Sequence, residues 1–306
     1  MRNAFADEVT RLAALDPRLV LLSGDIGNKL FDRVKTVRAE AFLNCGIAEA
    51  NMIGVAAGLA MSGLRPVVYT IAPFTTTRCF EQIRVDACYH RVPVTIVGTG
   101  AGLSYAELGP THHSLEDLAI LRTLPDMSVV APCDAYELRQ ALAAALNQDG
   151  PVYIRIGKKG EPAIHADAPP FALGCAIPVL PGTDVALLAT GTIMSEVLAA
   201  AAILRTQGIS AEVVSFHTVK PLDETYLHLA AQRFRLLVTV EEHGRIGGFG
   251  SAVAEWRAIE GAAVPQLLLG TSDEFMHEIG DQAYARQRFG LTGVQIAQQV
   301  ADRLRN

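Results

Sequence analysis

At 306 residues, half of them hydrophobic and 19% charged, the chain can bury more than one large core and is too apolar for intrinsic disorder. A formal net charge of −6, from 26 basic and 32 acidic side chains, argues against a nucleic-acid surface, although a few local cations can still hold a small anion. The opening "MRNAFADEVTRLAAL" contains Asp7 and Glu8 and no long apolar stretch, so neither a secretory signal nor a membrane span is expected there. Five cysteines (Cys45, Cys79, Cys88, Cys133 and Cys175) form no CxxC pair, which predicts reduced, mostly buried thiols in a cytoplasmic protein.

In chain order, Phe5, Val9, Leu12 and Leu15 are spaced to line one face of a first helix. "LVLLSGD" reads as a buried strand ending at Asp25, followed by the strand "AFLNC", a helix over 48–62, the strand "RPVVYT" and a helix over 75–89. The strand "VPVTIVGT" leads into a glycine-containing loop over 100–110. After it come a short helix in "SLEDLAILRTL", the strand "SVVAP", a helix N-capped by Asp134, and the strand "PVYIRIG". Val- and Ile-rich strands without strict alternation, interleaved with helices, predict a parallel sheet covered on both faces. "GKKGEPAIHADAPPFALGCAIPVLPG" (157–182) holds five prolines and no clear period, the pattern of a linker. A second block follows with strands "DVALLAT", "SAEVVSF", "RLLVTVEE" and "VPQLLLG" and helices over 193–207, 223–232, 249–259 and from 292. The fold class is therefore α/β, with two doubly wound domains of mainly parallel sheet: 1–160, a linker over 161–182, and 183–306.

Several constellations could carry chemistry. Glu49 stands at the mouth of a very apolar helix, "GIAEANMIGVAAGLAMSG". Read locally it is a first-turn acid favoured by the helix dipole, whereas its apolar neighbours would also favour the protonated carboxyl and suit an acid that shares a proton with a ligand. "GPTHHSLEDLA" places His112 and His113 before Glu116 and Asp117. Adjacent histidines point differently, and the acids are what a helix start wants, so no residue is assigned to a metal, while a histidine on a loop after a strand is a common binding or catalytic position. No GxGxxG follows a strand and no GxxxxGK[ST] or GxSxG is present; "GRIGGFG" reads as a turn. Arg2, Lys29, Lys158 and Lys159 fall at the ends of elements, where loops meet.

Taken in order, "GIAEANMIGVAAGLAMSGLRPVV", "APFTTTRCFEQIR", "GPTHHSLEDLAILRTLPDMSVVAPCD", "GPVYIRIG", "VKPLD" and "VTVEEH" resemble the C-terminal half of transketolase across essentially the whole chain, and particularly the split transketolases encoded as two polypeptides. The resemblance implies a pyrimidine-binding domain followed by a transketolase C-terminal domain, with thiamine diphosphate as cofactor. It implies that Glu49 is the activating acid at the aminopyrimidine and that Phe74 belongs to the aromatic ring pocket, with Phe80 and Arg78 on the same segment. Asp25 matches an acid near cofactor and substrate, and His112 a histidine that binds substrate oxygens. Arg2 and Lys158 match cations for a sugar phosphate, and Lys29 is grouped with them.

Two positions depart from the family pattern: Gly100 stands where transketolases have a histidine, and Leu108 where they have an acid that reads a substrate hydroxyl. Losing such groups removes a preference for hydroxylated substrates and implies an atypical sugar. The family's GDG…NN motif, which holds Mg2+ and the diphosphate, is also missing, since "SGDIGN" has no downstream pair. The resemblance thus implies a companion N-terminal-section subunit, in an α2β2 heterotetramer, that supplies the magnesium and diphosphate half of the site. Rival readings are the β subunit of a 2-oxo acid dehydrogenase E1, a 1-deoxyxylulose-phosphate synthase relative, and a non-catalytic paralogue.

Overall fold

The structure is a computed structural model and describes residues 1–27 and 29–305. Twelve strands are named here in chain order. They are β1 (Leu19–Ser23), β2 (Phe42–Asn44), β3 (Arg65–Ile71), β4 (Thr95–Thr99), β5 (Ser128–Val130), β6 (Val152–Ile156), β7 (Ile177–Leu180), β8 (Val185–Thr190), β9 (Ala211–Ser215), β10 (Thr218–Lys220), β11 (Leu237–Gly244) and β12 (Gln266–Thr271).

A seven-stranded sheet runs β10-β5-β6-β4-β3-β1-β2, parallel except for β10. A five-stranded sheet runs β12-β11-β8-β9-β7, parallel except for β7. Every residue of β1, β4, β6 and β8 is buried, which is why their sequences show no alternation. The strand order of the first sheet reverses at β1, which lies between β2 and β3. In such sheets ligands bind beside the carboxyl ends of the strands near that reversal.

Three local outcomes differ from the sequence expectation, each for a physical reason. The proline-rich segment is not all linker, because β7 forms an antiparallel edge of the second sheet. Pro178 is tolerated on an edge, where its missing N–H is not needed. Strand β10, from the second block, crosses to pair with Val129 and Val130 of β5 in the first sheet. The helix expected over 75–89 is broken into Ala72–Thr75, a 3-10 turn Thr77–Cys79, Phe80–Gln82 and a π turn Ile83–Tyr89. There the Thr76 and Thr77 hydroxyls donate back to the carbonyls of Ala72 and Pro73 at 2.7 Å, competing with the regular ladder. Helices Asp32–Val37 and Gln282–Arg288 carry too little periodicity to be anticipated.

The Asp134 cap is present. One carboxylate oxygen accepts the Glu137 N–H at 2.9 Å, and the other accepts those of Ile164 and His165 at 2.9 and 3.0 Å. One buried acid thus starts helix Ala135–Ala145 and ties down the crossing segment. Asp134→Ala is expected to lower stability by about 1–2 kcal/mol, the range of a lost N-cap, measured by denaturant unfolding. A difference below a few tenths would refute this double role.

Candidate functional site

Loops at the carboxyl ends of the first sheet bring most of the expected residues together. Glu49 opens helix Glu49–Met61, yet no side-chain hydrogen bond caps that helix. Glu49 is thus the first-turn acid of that helix, with Ala48 at the N-cap. The residue is only 3% exposed, with Gly24 packed so closely that a methyl there would stand 3.4 Å from Glu49 Cγ. The carboxylate turns instead to Arg78, whose Nη1 donates to Oε2 at 2.8 Å. A guanidinium, rather than an apolar wall alone, faces this acid.

The break in the 72–89 segment makes that meeting possible, because it brings Arg78 over the ring of Phe74, 4.3 Å from its centre. Phe74 meets the His112 imidazole edge-on at 5.2 Å, and His112 lies 6.1 Å from Tyr105. The Lys158 ammonium sits 4.7 Å from the Tyr105 ring and pairs with Glu107. Lys158 holds the Glu107 carboxyl below its ordinary value by hydrogen bonding and charge. The result is a continuous line from the Glu49–Arg78 pair through the Phe74, His112 and Tyr105 rings to Lys158.

The other expected residues fall at different distances from this line. Asp25 is exposed in the left-handed region (φ 57°) and accepts from Asn44 Nδ2 at 2.8 Å, one residue beyond the Gly24 that touches Glu49. Arg2 is half-buried near Tyr69, its Nε without a partner. Lys29 is exposed, and no polar contact joins its side chain to the other candidates among the described residues. Phe80 is partly buried and packs against the hydrophobic core.

His113 and Asp117 are drawn away from any metal geometry. His113 is buried against the Ala106 carbonyl, and burial pushes its imidazole down. Asp117 belongs to Arg155. Cys133, Glu137 and His165 do converge, but His165 Nε2 already meets Glu137 Oε1 at 2.8 Å. Burial, with Glu137 next, pushes the Cys133 thiol well up.

"GRIGGFG" is a turn whose helix start is filled from within. The Glu241 carboxyl accepts the N–H groups of Phe249 and Gly250, both at 2.7 Å, although burial pushes its pKa up to about 7. Burial pushes His243 down to about 4, so the ring is neutral, with Nδ1–H donating to Gly244 O at 2.7 Å.

Sequence reasoning missed the clamp that fixes the His112 loop. Arg155 of β6 is 2% exposed. Its Nε donates to Asp117 Oδ2 at 2.8 Å, and its Nη2 to the carbonyls of Ser114 and Glu242. Tyr153 donates to the same Asp117 oxygen at 2.7 Å. From the second sheet, the Glu242 carboxylate accepts the Leu103 N–H at 3.2 Å and is held by Gln282 and Arg286. An arginine inside the apolar run "VYIRI" was the available signal, since a buried charge demands partners. A cleft of about 730 Å3 beside the clamp, between Leu115, Ala119, Ile246, Leu268 and Phe275, contains none of the expected site residues.

Comparisons with known proteins agree along the chain. The family "Transketolase, pyrimidine binding domain" matches residues 1–161, and "Transketolase, C-terminal domain" matches residues 174–296. The 6-deoxy-6-sulfo-D-fructose transketolase subunit SqwH of Clostridium sp. (strain MSTE9) is 38% identical over 99% of this chain and 95% of its own. A subunit of the apulose-4-phosphate transketolase of Phocaeicola vulgatus is also 38% identical, over 89% of this chain and 88% of its own. Among solved structures, a split-gene transketolase described as an inactive beta4 tetramer superimposes with a TM-score of 0.89 at 36% identity, over 98% of this chain and 96% of its own.

Proposed function

Because the chain belongs to the transketolase family, carrying its pyrimidine-binding and C-terminal domains, we propose that it is one half of a thiamine-diphosphate-dependent enzyme. That enzyme would move a two-carbon ketol unit from a ketose to an atypical aldose. The observation that carries this reading is the arrangement of Glu49, Arg78 and Phe74. A planar N–H-bearing cation already lies over the Phe74 ring and donates to the Glu49 carboxylate. A cofactor aminopyrimidine needs the same two contacts, an aromatic face and a buried acid, so these residues fit it.

When bound, thiamine diphosphate supplies the carbanion chemistry. Glu49 would hold or release the proton on the ring nitrogen facing it, and Phe74 would fix the ring plane. Arg78 must swing off both as the ring enters, and with 46% of its side chain exposed it has room to do so. His112, next to Phe74, would hydrogen-bond the substrate oxygens at the reacting carbon. Lys158 and Arg2, further along, would take a terminal oxyanion; Lys158 offers a point charge in place of a guanidinium fork.

The sequence supplies no GDG…NN set, so a companion polypeptide would bring Mg2+ and the diphosphate grip, in an α2β2 assembly. Support for an atypical substrate comes from two relatives, one named for a sulfonated sugar and the other for apulose 4-phosphate.

The test is reconstitution. The chain alone, given thiamine diphosphate, Mg2+ and hydroxypyruvate, should transfer no ketol unit to an aldose acceptor. Addition of a companion carrying the diphosphate-binding domain should give turnover. Equal turnover without that companion would overturn the half-site reading, and acyl transfer to a lipoyl domain by the pair would overturn the assignment to ketol transfer.

A further inference from the structure

The loop after β4 holds one aromatic side chain that the proposed reaction does not yet use. Gly100 leaves the strand with φ +88°, and the Tyr105 ring lies directly on it. A methyl group at residue 100 would stand 2.1 Å from a ring carbon. No side chain at position 100 can coexist with this ring. Gly100 is therefore a socket as well as a turn residue, and Tyr105 is what fills it.

Tyr105 is 9% exposed and neighbours two groups assigned to the substrate, His112 at 6.1 Å between ring centres and the Lys158 ammonium at 4.7 Å from its own. The loop that carries it is tied down at both ends. The Leu103 N–H is held by Glu242, the Ser114 N–H by the Gly102 carbonyl at 3.0 Å, and the Ser114 carbonyl by Arg155. Gly102 is itself pressed on Glu242, where a methyl would stand 2.6 Å from that side chain.

We propose that Tyr105 is a specificity-determining residue. Its ring, filling the space above Gly100, sets an aromatic wall beside the carbon next to the reacting carbonyl, so the site favours aldoses that present C–H there and carry a terminal oxyanion for Lys158. A hydroxyl turned against a ring face loses water and gains no acceptor, which penalises the hydroxylated sugar. The oxyanion must also displace the Glu107 carboxylate from Lys158, and a phosphate monoester, with more than one negative charge at neutral pH, is the class best able to do so. This assignment rests on the ketol-transfer reading above.

The experiment uses the assembled enzyme, hydroxypyruvate as donor, and two acceptors of equal length and charge: D-ribose 5-phosphate and 2-deoxy-D-ribose 5-phosphate. The wild type should favour the deoxy sugar in kcat/KM. Tyr105→Ala, or Tyr105→Leu should the alanine variant melt early, should shift that ratio toward ribose 5-phosphate by about tenfold. Tyr105→Phe should leave it within about twofold, because the ring volume remains. An unchanged ratio in a folded Ala or Leu variant would overturn the role of Tyr105 alone. A Phe variant that shifts like Ala would transfer the role from ring to hydroxyl and overturn the aromatic-wall assignment. A wild-type complex that transfers to neither acceptor, nor to glyceraldehyde 3-phosphate, would overturn the ketol-transfer reading and this assignment with it.

Discussion

Glu49→Gln in the assembled enzyme should lower kcat by about 10²–10⁴, the range of a lost acid–base partner, with assembly and melting temperature nearly unchanged. Glutamine keeps the shape and can still accept from Arg78, but it cannot exchange a proton with a bound ring. The buried position makes the effect large, because water has little access to replace a carboxyl that is 3% exposed. Cofactor affinity should fall far less than kcat, since Phe74 and the companion's diphosphate contacts remain. Measuring kcat and thiamine diphosphate affinity separately checks this. Unchanged turnover would remove Glu49 from the chemistry and favour a non-catalytic role for the chain.

The largest stability effect is expected at Arg155. Arg155→Met leaves Asp117 as a buried, uncompensated carboxylate and strips the carbonyls of Ser114 and Glu242 of their donor. Breaking a buried pair in this way costs about 3–5 kcal/mol, which corresponds to a melting temperature lower by about 5–8 °C for a chain of this size. Arg155→Lys should recover little, because one ammonium cannot reproduce a fork aimed at three acceptors. Adding Asp117→Asn to Arg155→Met should return part of the loss, since it removes the stranded charge. Thermal unfolding of the wild type, both single variants and the double variant gives the coupling directly. Strictly additive losses would show that the pair is not energetically linked.

Much of the architecture is legible because buried parallel strands write themselves as unbroken apolar runs, as in "LVLLS" and "VALLAT". What escapes is equally physical. Strand β7 hides behind Pro178, and β10 is three residues long and takes its partner from the other sheet, which no local pattern encodes. The helix after β3 reads as continuous because threonine back-bonding leaves the composition unchanged while altering the geometry. Of the site, Glu49 is conspicuous as an acid among alanines, but its Arg78 partner lies 29 residues away in sequence. Tyr105 gives no signal at all: its importance depends on the empty space at Gly100, and a sequence shows a glycine without showing what fills the space above it.

Strand β10 bears on where the gene can be cut. A fragment ending at residue 182 would carry most of the first sheet, yet would leave β5 with its backbone groups bare along Val129 and Val130. An open apolar edge of that kind recruits other chains. The two halves are thus interlocked by a strand that crosses from one block to the other sheet, so recombination between relatives in the proline-rich stretch, where the sequence invites it, would pair β5 with a β10 from a different parent.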